Sequence, residues 1–157
     1  MEEDDALRRY RASLSLGGSE FDFLATDAVG QVAMFSHAGW GPIPRAVVDR
    51  SEQATKAVEA AERLPATTTV QDAPLGGGDY SEWLTKVERG LFAYDWWRTH
   101  GPYRLVARPR VAIRIDAAPS LLDHGNLVML PTDFALNDTI DLSSLGIDLV
   151  EYPRHRA

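Results

Sequence analysis

Residues 21–37 alternate and then turn back on themselves, and few features constrain a fold more. In Phe21-Asp-Phe-Leu-Ala-Thr-Asp27, the side chains of Phe21, Phe23 and Ala25 fall on one face of an extended chain, and Asp22, Leu24 and Thr26 fall on the other. Ala28-Val29-Gly30 supplies a turn, and Gln31-Val-Ala-Met-Phe-Ser-His37 returns as a partner strand. The spacing predicts an N-terminal antiparallel hairpin. Two strands alone are marginal in water, so the rest of the chain must cover them.

The next segments supply that cover. Ser36-His37-Ala38-Gly39-Trp40-Gly41-Pro42-Ile43-Pro44 sets an indole between two glycines and before two prolines, a shaped loop that either presents Trp40 or buries it. Asp49 and Glu52 have the spacing of a helix start, and Ala54, Ala57, Val58, Ala61 and Leu64 recur at helical period until Pro65. Thr67 to Val70 reads as a short edge strand, and Gly76-Gly77-Gly78 as a linker. A second helix begins near Asp79, turns Trp83, Leu84 and Val87 inward, and ends at Gly90.

Strand candidates follow at Leu91–Trp97, Tyr103–Ala107, Val111–Ile115, Leu127–Leu130, Phe134–Leu136 and Ile147–Tyr152. The order hairpin, helix, helix, strands predicts an α+β fold: a mostly antiparallel sheet with an N-terminal hairpin and two main helices packed on it. Residues 1–18 read as an N-terminal helix or flexible tail, and 19–157 as one α+β domain, a division that a length of 157 residues accommodates.

Composition narrows function by exclusion. A formal net charge of -7 disfavours nucleic acid and anionic membranes, whose phosphates need clustered Lys and Arg, and is easier to reconcile with a basic partner. The absence of cysteine removes disulfides, thiolate metal sites and a Cys nucleophile. An acidic start and the lack of any apolar run of membrane-spanning length lead us to expect a cytoplasmic protein.

Residues with chemical potential stand apart rather than in a constellation. His37, His100, His124 and His155 lack the spacing of a metal-binding pair, so no metal or other cofactor is expected. His37, beside the glycine loop, is the one that could act with Asp27 or Asp95 as an acid–base pair. Gly76–Gly78 is followed by no Lys-Ser or Lys-Thr, and no Gly-x-Ser-x-Gly elbow is present. Trp96 and Trp97 are adjacent in a strand and must point to opposite sides, so one core cannot hold both.

Three segments together, Phe-Asp-Phe-Leu-Ala-Thr-Asp-x-x-Gly-Gln-Val-Ala-Met-Phe (21–35), Ala-Gly-Trp-Gly-Pro-Ile-Pro (38–44) and Arg-Gly-Leu-Phe-Ala-Tyr-Asp-Trp (89–96), resemble a group of small uncharacterised bacterial proteins, over about Phe21 to Pro109. That resemblance implies no activity and no catalytic residue. In size, acidity and lack of cysteine the chain is also similar to the immunity proteins that neutralise bacterial toxins. The expectation is therefore a non-enzymatic binding protein that occludes a basic toxin domain, with Asp22, Asp27 and Asp95 steering it and Trp40 together with Trp96 or Trp97 as the anchor. Two alternatives stay open: a small-molecule-binding domain or enzyme with a pocket near His37 and Trp40, and a structural or regulatory subunit.

Overall fold

The computed structural model describes residues 21–39, 41–75, 80–97 and 101–151. Trp40, His100, His155, Gly76–Gly78 and the expected N-terminal helix or tail lie outside these residues. Among the described residues the elements run β1 (Asp22–Thr26), β2 (Val32–Ser36), β3 (Ile43–Pro44), α1 (Arg45–Val48), α2 (Ser51–Glu62), β4 (Val70–Asp72), α3 (Ser81–Val87), β5 (Phe92–Trp96), β6 (Tyr103–Pro109), β7 (Val128–Met129), β8 (Thr139–Ile140) and β9 (Leu149–Val150). Short 3-10 turns separate the later strands.

The class is α+β, but the sheet is mixed rather than mostly antiparallel. Six of its seven strands run in the order β4-β6-β5-β2-β1-β7, β8 adds to β6, and β3 with β9 makes a separate two-stranded ribbon. β1 and β2 pair antiparallel, with Phe23 opposite Phe35 and Ala25 opposite Ala33. They stand inside the sheet rather than as a separate N-terminal unit, because each has a parallel outer neighbour, β7 beside β1 and β5 beside β2. A parallel return needs a long crossover, and residues 37–91, which carry α1, α2 and α3, provide it between β2 and β5.

Both faces of the sheet are covered, which accounts for the unbroken burial of β2. On one face Phe23, Phe35, Tyr94, Tyr103 and Leu105 pack under Ile43, Phe134, Ile140 and Leu142. Phe35 stacks on Phe23 at 5.3 Å and on Tyr94 at 5.0 Å between ring centres. On the other face Leu24, Val32 and Met34 meet Ala57, Val58, Ala60 and Ala61 of α2, while Ala93, Val106 and Ala107 meet Val87 of α3. The small residues of α2 let its backbone approach the sheet closely. Asp49 does not cap this helix, whose N-cap is Arg50 with no side-chain hydrogen bond.

Two expected strands are not strands. Val111–Ile115 is held at loops instead: the Ile113 amide donates to Gly90 O (3.0 Å) and the Ile115 amide to Gly30 O (2.8 Å), and Arg114 makes only an isolated bridge to Gln31. Phe134–Leu136 is a 3-10 turn capped by Asp133, whose carboxylate accepts from the Ala135 amide. Phe134 anchors its connection in the core, and Ile113 and Ile115 are half-buried, while Val111 and Leu136 are exposed.

Candidate functional site

The residues singled out in the sequence separate to opposite ends of the β1–β2 pair. At the end where β1 begins and β2 finishes, Asp22, Ser36, Asp95 and Arg104 are register partners in succession across β1, β2, β5 and β6. Asp22 and Asp95 are half-buried, and Tyr80, just ahead of α3, donates its hydroxyl to Asp95 at 3.1 Å. Trp97 is half-buried with the Arg104 guanidinium 4.9 Å above its ring centre. Trp96 goes the other way, as adjacent strand residues must, and only 7% of it is exposed. It packs 5.1 Å from Tyr103 and belongs to the aromatic core, where a partner cannot reach it.

The loop around Trp40 is shaped at its described residues. Ala38 and Gly39 have φ of 55° and 84°. Gly41 presses on the core so closely that a Cβ there would lie 2.8 Å from the Tyr103 hydroxyl and 2.9 Å from the Trp96 indole.

His37 is fully buried at the same end. Its Nδ1 accepts from the Phe21 amide at 2.9 Å and the Gly39 amide at 3.3 Å. A nitrogen that accepts two N–H groups carries no proton, so the network assigns the neutral imidazole with its proton on Nε2. Burial holds its pKa down, from 6.5 to about 4. In this geometry His37 ties the start of β1 to the end of β2 and is not placed in reach of solvent as an acid–base group.

Asp27 lies at the far end of the pair, remote from His37 and Asp95, and is 2% exposed. Its Oδ1 accepts from the amides of Val29 (3.1 Å) and Gln31 (2.8 Å). Its Oδ2 accepts from Gln31 Nε2 (2.7 Å) and the Phe134 amide (2.9 Å). Four donors offset the cost of removing a carboxylate from water. One side chain thus fastens the β1–β2 turn to a loop over a hundred residues away, and the Ala28 amide reinforces it through Thr132 O at 2.9 Å. Gln31 extends the network to Asp133 at 2.9 Å. The Tyr94 hydroxyl, which burial pushes well above its ordinary range, donates to Asn137 O at 2.7 Å.

The two loops so fastened carry exposed aliphatic side chains, Val29 at 44% and Leu136 at 79%. Acids surround them in sequence: from Ile115 to Glu151 there are Asp116, Asp123, Asp133, Asp138, Asp141, Asp148 and Glu151, and no Lys or Arg. Arg108 reaches this end from β6 and pairs with Asp138 and, at 2.6 Å, Asp72. The local signal for such a turn is an Asp that bonds its own backbone two residues on, as Asp27 does with Val29. The link to Phe134 has no sequence signal.

A cavity of about 230 Å³ opens elsewhere, where the α1–α2 corner meets the β1–β7 edge of the sheet. Leu24, Val47, Ala54, Ala57, Leu127 and Val128 make its apolar lining, and Arg50, Gln53, His124 and Asn126 its polar rim. His37 is not among its lining residues. Among the described residues no group of three or more His, Cys, Asp or Glu side chains is arranged to hold a metal ion, and no helix is long and apolar enough to cross a membrane. No family model, curated protein or solved structure matches the chain.

Proposed function

We propose that this chain is a non-enzymatic binding protein, an immunity-type inhibitor that neutralises a bacterial toxin by covering a basic surface of it. The observation that carries the reading is the loop pair fastened by Asp27. Its backbone is fixed by buried hydrogen bonds before any partner arrives, so association loses little conformational entropy. Leu136 and Val29 supply apolar contact, and the acids between Asp116 and Glu151 supply the steering field. The alternative contact surface is the opposite end, with Trp97, Asp22 and Asp95.

The test is the association kinetics of the chain with a candidate basic toxin domain, measured at low and high salt. The association rate is expected to fall at least about tenfold across that range, the behaviour of a steered encounter. Leu136→Asp is expected to weaken binding about tenfold or more without changing stability, by placing a charge in the apolar contact. A partner whose binding ignores salt and Leu136→Asp alike would overturn the reading. Loss of binding in Trp97→Ala with Leu136→Asp unaffected would move the interface to the other end.

A further inference from the structure

We propose that the cavity at the α1–α2 corner is a binding site for a small aliphatic monocarboxylate, independent of the toxin-binding surface. Three observations carry this. The lining is apolar on the protein's side and polar at the mouth, the arrangement that takes an amphipathic ligand with its charge outward. The polar rim is uncommitted: Arg50, Gln53, His124 and Asn126 make no side-chain hydrogen bond or ion pair among the described residues. Gly125 shapes the mouth, because its φ of 128° suits glycine and a Cβ there would stand 3.1 Å from Arg50 Nη2. The guanidinium therefore lies close over a bare backbone.

The chemistry selects the ligand. A guanidinium binds a carboxylate through two parallel N–H groups, which a neutral head cannot reproduce. One Arg neutralises one negative charge, and the rim holds no Lys or second Arg. The exposed carboxylates of Asp49 and Asp123, next in sequence to Arg50 and His124, disfavour a doubly charged phosphate. The volume of about 230 Å³ equals the liquid-volume share of roughly eight waters, room for a short chain of about six carbons with its carboxylate. Gln53 and Asn126, which line the same cavity, carry amide N–H groups of the kind that can donate to carboxylate oxygens Arg50 leaves free.

Hexanoate titrated into the full chain, with the methyl signals of Leu24, Val47 and Val128 followed by NMR, tests the site. Saturable shifts at those methyls are expected at sub-millimolar hexanoate. Arg50→Gln, a change at an exposed residue, is expected to weaken binding about tenfold, and uncharged hexanamide to bind about tenfold more weakly than hexanoate. Ala54→Leu, which fills the lining, is expected to abolish the shifts and serves if Arg50→Gln perturbs the fold. Shifts that stay linear to about 10 mM, hexanamide binding as tightly as hexanoate, or inorganic phosphate binding more tightly than hexanoate would each overturn the proposal.

Discussion

The two ends of the β1–β2 pair are closed by opposite chemistry. At one end Asp27, an acid, is buried under four N–H donors; at the other His37, a base, is buried with its Nδ1 accepting two. Both side chains do the same geometric task of tying backbone to backbone. They differ in what they hold together. The neutral imidazole accepts from the start of β1 and from the loop that follows β2, whereas the carboxylate joins two loops that are distant in the chain. The first end is the platform on which two loops meet, and the second is a clasp beside the loop after β2.

The sharpest way to break that contrast is Asp27→Ala. It strands the buried amides of Gln31 and Phe134, and a loss of about 4 kcal/mol is expected in denaturant unfolding. A loss under about 1 kcal/mol would mean that water replaces the carboxylate and that the platform is no stiffer than the clasp.

The other end is tested by pH. Between about 4 and 6.5 the unfolded chain holds a proton on His37 that the folded chain refuses. Stability should therefore fall as pH drops through this window, by up to about 3 kcal/mol, and gain nothing from this group above it. His37→Asn should remove that slope from the difference between two pH-dependent unfolding series. An unchanged slope would assign it to other groups and end the contrast.

A smaller effect probes the packing beneath the clasp. Gly41→Ala drives a Cβ against Trp96 and Tyr103, and overpacking of this kind costs about 2 kcal/mol, read as a lowered thermal midpoint. Neutrality there would show that the loop moves freely over the aromatic core.

Much of the scaffold was legible in local periodicity. The alternation of 21–27, the small-residue stripe of α2 and the aromatic strand β5 each describe a face, and a face is decided by residues a few positions apart. The opposite fates of Trp96 and Trp97 follow from the same rule. Val111–Ile115 and Phe134–Leu136 misled because a short apolar run does not say whether it pairs or only plugs. At the candidate site, Asp22 and Asp95 were recognisable as acids near a loop, but their placement on either side of Ser36 depends on the parallel seam between β2 and β5. Asp27 read as a surface acid because nothing nearby in sequence advertises the Phe134 amide that it binds.

By itself the sequence determined the α+β class, the two strand segments β1 and β2 and the presence of covering helices, since these rest on local pattern and turn chemistry. The tertiary structure alone decided that the sheet is mixed, that Asp27 and His37 are interior ties at opposite ends, and that Arg50 and Gly125 meet at a cavity. Each of those depends on contacts between residues distant in the chain. Their free energy comes from burial and hydrogen bonding across the assembled fold, which no window of neighbouring residues contains.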